Sequence, residues 1–152
     1  MNTQNTATPW NFFWAVEEFF GIKFKYDMAA SSYNYKCESY FTEQDDSLKI
    51  DWPRGEWCWL NPQFKYLTLW LRKCDKEFHK GSKIISIWPL SSDLNQIPSW
   101  IFADMFIIHG RVWPCVRGCV VCRWTPLPLR KPITMGLDWD REKGKLTEIW
   151  SR

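Results

Sequence analysis

The chain has 152 residues, 45% of them hydrophobic, 24% charged and 18% aromatic, which is enough apolar material for one cored domain and too little for two ordinary ones, and excludes a generally disordered polymer. A net charge of +3 permits contact with nucleic acid but excludes the strongly basic footprint of a dedicated binder. Twelve tryptophans are more than a core of this size is expected to hold, so several are expected on a surface that meets a partner.

Residues 1–9 are polar and lack a basic stretch followed by an apolar run, so no secretory signal is expected. No window approaches eighteen uninterrupted apolar residues, which argues against a membrane span and makes the cytoplasm the expected location. Thr8-Pro9 then leads into WNFFWAVEEFFG. Phe12, Phe13, Val16, Phe19 and Phe20 recur at helical spacing, Glu17 and Glu18 lie opposite, and Gly21 is a stop. Ile22, Phe24 and Tyr26 alternate with lysines as a strand that turns at Asp27, and residues 31–51 are mainly polar. WCWLNP reads as a second strand. From Tyr66, a stripe of Leu67, Trp70, Leu71, Cys74 and Phe78 predicts a helix that ends before Gly81. SKIISIWPL, MFIIHG and CVVCRW read as buried strands. This order predicts an α/β fold with a mostly parallel sheet and helices on its faces. Beyond Trp124, TPLPLRKP reads as a stiff connector, and LDWDREKGKLTEIW as two short strands around Gly144, with Trp139 and Trp150 sharing a face. The expected organisation is a domain over 1–124 and an appendage over 125–152. Six cysteines, at 37, 58, 74, 115, 119 and 122, fall in core-like elements and read as free packing thiols.

The chemistry concentrates in Asn61-Pro62-Gln63-Phe64, at the carboxyl end of a strand, where open α/β sheets bind ligands. The Asn61 side-chain oxygen and a carbonyl held out by proline can each accept a hydrogen bond from a planar amino group, while Phe64 stacks on the attached heterocycle. Two such bonds draw the nitrogen lone pair out of conjugation and aim it at a methyl group, so catalysis rests on positioning. The plain alternative is a strand end closed by a turn-forming Asn-Pro pair. Arg111, Arg117, Arg123, Arg130 and Lys131, interleaved with Trp113 and Trp124, offer either a phosphate-gripping edge or a solvated rim. His109 is expected to be partly buried.

Thr8-Pro9, KYDMAASSYNYKCESYFTEQDDSL over 25–48, Trp52, WLNPQF and Trp70 together resemble the phage-type DNA adenine-N6 methyltransferases, the Dam-like family. Asp27-Met28-Ala29-Ala30 with Asn34, Cys37 and Tyr40-Phe41-Thr42 is the most specific part, and SIWPLSSD and FIIHGRV extend the resemblance to about residue 124. The resemblance implies a Rossmann-like class I methyltransferase sheet with helices on both faces, plus a short C-terminal extension. It also implies S-adenosylmethionine as cofactor and duplex DNA with a flipped adenine as partner. In that reading Thr8 and Pro9 touch the cofactor, Asp27 and Ala29 line its amino-acid end, and Asp46 approaches its adenosine. Asn61, Pro62 and Phe64 hold the target amine and base. A homodimer or a host protein is a further partner class, and the cytoplasm of a phage-infected or lysogenic bacterium the setting. Gln63 stands where the family has a second proline that fixes the backbone. The alternative is therefore a catalytically impaired methyltransferase-fold protein that binds DNA or a host protein. Cys115, Cys119 and Cys122 have the spacing of radical S-adenosylmethionine iron–sulfur sites. Against that, Val121 rather than an aromatic precedes Cys122, and residues three apart on a strand face opposite ways.

Overall fold

The computed structural model describes residues 7–89, 102–113, 118–125 and 131–152, and Phe64 by its backbone only. Helix α1, Trp10–Phe20, starts where the Pro9 carbonyl accepts from the amides of Phe12 and Phe13, and stops at Gly21, whose φ of 65° is the left-handed turn that glycine adopts without strain. The elements that follow are β1 (Phe24–Asp27), β2 (Ser39–Tyr40), β3 (Trp57–Leu60), a 3-10 turn (Phe64–Tyr66), α2 (Leu67–His79) and β4 (Lys83–Pro89). After them come β5 (Asp104–His109), β6 (Cys119–Trp124), β7 (Thr134–Asp140) and β8 (Lys145–Ser151). The two-residue β2 lies in the polar stretch where no strand was expected. It exists because Tyr26 and Asp27 pair with Ser39 and Tyr40.

All eight strands form one sheet in the order β2-β1-β3-β4-β6-β5-β7-β8. Its first half, β2 to β4, is parallel throughout. Beyond β4 the sheet is mixed: β6 inserts antiparallel between β4 and β5, β7 is parallel to β5, and β8 is an antiparallel edge. The predicted C-terminal strands therefore continue the main sheet through β5. Residues 126–130 of the expected connector lie outside the described residues.

Strand alternation divides the apolar residues into two clusters. Phe12, Phe13 and Val16 of α1 pack with Ile85, Ile87, Phe106, Val121 and Leu137, while Leu71, Cys74 and Phe78 of α2 pack with Ile84, Trp88, Val120 and Cys122. Neighbouring β4 residues thus belong to different clusters. Cys119 and Cys122 fall in different clusters as well, so they point away from each other as strand geometry requires. Cys115 lies outside the described residues. Burial pushes the Cys37 thiol up to about 12, and the described cysteines are free and buried.

Several tryptophans lie on the surface as expected, with Trp10, Trp14 and Trp150 exposed. Trp52, Trp59, Trp88, Trp113, Trp124 and Trp139 are all buried, and three of them bring a satisfied indole N–H inside: Trp52 donates to the Ser47 carbonyl, Trp113 to the Ala7 carbonyl and Trp124 to Ser86 Oγ. Trp139 and Trp150 do not share a face. Trp139 joins the α1 cluster, whereas Trp150 lies over Gly136, where a Cβ would come within 2.3 Å of the indole nitrogen. A register shift between Gly136 and Leu137 causes the difference. No helix among the described residues is long and apolar enough to cross a membrane.

Candidate active site

The parallel half of the sheet ends in a cleft of about 500 Å³. It is built by the residues that leave the carboxyl ends of β1, β2 and β3, and Thr8, Asp27, Ala29, Asp46, Asn61, Pro62 and Gln63 all line it. Hydrogen bonding continues past the strand ends and holds the walls in place. The Phe41 amide donates to the Asp27 carbonyl at 2.9 Å, the Ala30 amide to the Phe41 carbonyl at 2.9 Å, and the Met28 amide to the Trp59 carbonyl at 2.9 Å.

Asp27 is the last residue of β1, and its side chain is buried. Oδ2 accepts from the Lys36 amide at 2.9 Å and Oδ1 from the Ala29 amide at 3.3 Å. The chain over 28–36 therefore wraps the carboxyl group, with Ser31 and Asn34 bridged to each other. Burial pushes the Asp27 pKa up to about 6, against the opposing pull of the two amides and the Lys36 charge. The Lys36 ammonium is shifted down by its own burial, offset in part by Asp27, and donates to Asn34 Oδ1 at 3.3 Å.

Asn61 follows β3 directly, and its Nδ2 donates to Thr8 Oγ1 at 2.9 Å. That bond joins two segments 53 residues apart and fixes the amide group, whose oxygen is itself buried. Thr8 is buried, and the preceding carbonyl, of Ala7, is gripped by Trp113 Nε1 at 3.1 Å. Pro9 does not line the cleft; it opens α1. Pro62 is buried, while Gln63 is exposed and its carbonyl accepts from the Tyr66 amide at 3.4 Å, closing the 3-10 turn. Phe64 begins that turn, and its side chain lies outside the description.

Asp46 sits on the opposite wall with φ 50°, the one non-glycine residue with positive φ among those described. A short acidic side chain tolerates that conformation better than most. Its carboxylate lies 3.4 Å from the Lys49 ammonium. Behind this wall stands a clamp from α2 that the sequence reading missed. Glu77 Oε2 accepts from the Trp52 amide at 3.1 Å, and Glu77 Oε1 pairs with the Lys73 ammonium at 2.7 Å. Lys73 also donates to the Ile50 carbonyl, and the Ser47 hydroxyl to the Met28 carbonyl. Lys36 and Tyr66 are further cleft residues missed from the sequence. The signal for the clamp was present as a Lys-Glu pair four apart on a helix, which by itself also describes a solvated face.

Of the arginine edge, Arg123 and the two rings are corrected, while Arg111 and Lys131 are exposed. Arg123 Nε and Nη2 both donate to Asp104 Oδ2, at 3.1 and 2.9 Å, and the guanidinium lies 5.3 Å from the centroids of Phe20 and Phe106. Trp113 and Trp124, expected as stacking rings, are buried. His109 is exposed, with its ring 6.4 Å from Trp150. Arg117 and Arg130 lie outside the described residues.

The family model described as DNA N-6-adenine-methyltransferase (Dam) matches residues 2–89, more than half of the chain. The chain belongs to the Dam family. It is 40% identical over 58 residues to a DNA N-6-adenine-methyltransferase of Haemophilus phage HP1, and 27% identical over 67 residues to one of Escherichia phage T1. Those stretches cover 38% and 44% of this chain, and 33% and 28% of the relatives, so the matches span about a third of the curated relatives' length. The Dam-family match ends with β4 and so contains Thr8, Asp27, Asp46 and Asn61, but not β5 to β8.

Proposed function

We propose that this Dam-family chain transfers a methyl group from S-adenosylmethionine to the N6 amine of adenine in DNA. One observation carries the reading: Asn61 and Pro62 line the same cleft as Thr8 and Asp27, with Asn61 bonded directly to Thr8. The parallel run β2-β1-β3-β4, with α1 and α2 in separate clusters, supports a Rossmann-like class I methyltransferase core for this half.

The donor set suits the cofactor. A cleft of about 500 Å³ is of small-ligand size. The Asp27 carboxyl group faces it as a partner for an ammonium group, Ala29 lies beside Asp27, and Asp46 supplies acceptors on the far wall for hydroxyl groups. When bound, S-adenosylmethionine supplies an electrophilic methyl group on a positively charged sulfur. The chain's own residues do the rest. The Asn61 oxygen and the Pro62 carbonyl accept the two hydrogens of the adenine amine, and Phe64 stacks on the base. The two acceptors would favour the charge that develops on nitrogen as the N–C bond forms and the methyl–sulfur bond breaks to leave a neutral thioether; the methylated nitrogen then loses one proton to solvent, so no strong base is required. An adenine inside a duplex cannot reach the cleft, so the base must leave the stack.

The test is transfer of a labelled methyl group to unmethylated adenine-containing DNA, with calorimetry for the cofactor. The wild type should bind and transfer. Asn61→Ala should lose about a hundredfold or more in rate, by analogy with removing one preorganised hydrogen-bonding group, and still bind the cofactor. Asp27→Ala should lose cofactor binding. A wild type that neither binds S-adenosylmethionine nor transfers the methyl group overturns the reading. Gln63 favours a second one, an impaired relative that binds without turnover, because it replaces a rigid residue by one with freer φ beside Pro62. Cofactor binding without transfer, with transfer gained in Gln63→Pro, would identify that case.

A further inference from the structure

The rim of the cleft carries exposed aromatic rings with lysine ammonium groups set over them. Trp10 is 45% exposed and has Lys36 Nζ 4.6 Å from its ring centroid. Trp14, 58% exposed, lies one helical turn further on, with the two indole centroids 5.5 Å apart. Near the start of α2, Tyr66 is 44% exposed, with Lys65 Nζ 4.9 Å from its ring. Lys36 and Tyr66 line the cleft itself, so both pairs begin at its opening. Rings left in water at such a place forgo burial that the other tryptophans obtain. Both pairs are cationic, whereas Trp113 and Trp124 are buried and offer no ring to a strand.

We propose that the Lys36–Trp10 and Lys65–Tyr66 pairs are nucleic-acid contacts, with nucleotides flanking the target laid across the rim. This deepens the reading above and rests on DNA being the substrate. Bases lie against the Trp10 and Tyr66 rings, and phosphates against the two ammonium groups. A ring accepts any base face and an ammonium any phosphate, so these contacts hold the strand without reading its sequence. Two cationic pairs favour a polyanion over an apolar protein surface.

Binding of a fluorescein-labelled unmethylated duplex, followed by anisotropy over a salt series, tests the proposal. Trp10→Ala and Tyr66→Ala should each weaken binding about tenfold, while Tyr66→Phe, which keeps the ring, stays within about twofold. Lys36→Gln and Lys65→Gln should each reduce the slope of log affinity against log salt by about one. Thermal unfolding of each variant separates a lost ring from a lost fold, with Trp10→Phe as the ring-retaining control. Wild-type affinity in Trp10→Ala and Tyr66→Ala and a wild-type salt slope in Lys36→Gln and Lys65→Gln, alongside methyl transfer by the wild type, overturn the rim and leave the enzymatic reading intact. Weakened DNA binding in the variants of a wild type that transfers no methyl group keeps the rim and removes the enzyme. No DNA binding by the wild type overturns the rim outright.

Discussion

Asp27 couples the site to pH. Burial holds its carboxyl at about 6, above its ordinary value of 3.8. Below about pH 4 the group is protonated both folded and unfolded, so its contribution to stability is fully present. As pH rises toward 6 the unfolded chain ionises first, and that contribution is lost through the folded pKa, on the order of 3 kcal/mol at most. Denaturant titration of the ligand-free protein should therefore give a lower unfolding free energy at pH 7.5 than at pH 5, and Asp27→Asn should flatten the difference. On the proposed function, affinity for S-adenosylmethionine should move the other way and rise through pH 6, as the Asp27 carboxylate proposed to meet its ammonium group forms. Calorimetry at the two pH values checks this, and a flat profile would remove Asp27 from the binding role. Asp27 and Asn61 were legible because each sits at a strand end in a recognisable string of residues. Lys36 was not, because its part depends on a backbone amide that reaches back nine residues to Asp27.

At the scale of elements, α2 is more than a packing helix. Through Lys73 and Glu77 it fixes the segment that leads from Asp46 to Trp52, and with it one wall of the cleft. Both side chains are buried, so removing one strands the other without its partner. Lys73→Met should cost about 3–5 kcal/mol in denaturant unfolding, and should weaken cofactor binding in calorimetry at a temperature where the variant remains folded. Unchanged affinity in a folded variant would show that the wall needs no support from α2. The helix and its apolar stripe were readable from periodicity. The clamp was not, since a lysine and a glutamate four apart carry the same pattern whether water or a loop lies over them. Arg123 was misread for the converse reason: Arg123 and Trp124 alternate as a solvent-facing strand does, but β6 is an inner strand and Asp104 waits on its neighbour.

For the molecule as a whole, every strand but the two-residue β2 was legible, and their order was not. Alternation and apolar runs identify the longer segments, but the placement of β6 between β4 and β5 depends on contacts between distant residues. The Gly136–Trp150 contact belongs to this level. A side chain at 136 would meet the indole ring, so Gly136→Ala should displace Trp150 and cost about 1–3 kcal/mol, seen as altered tryptophan emission and an earlier denaturant midpoint. Emission and midpoint equal to wild type would mean the ring swings aside freely.

The bond from Trp113 to the Ala7 carbonyl spans 106 residues. Its donor lies outside the stretch that matches the Dam family, and its acceptor lies inside, next to the threonine that meets Asn61. A chimera that transplants only the recognisable first 89 residues onto another scaffold would carry the motifs intact while leaving their hinge post behind. The later half of the chain is thus a guarantor of alignment for the earlier one.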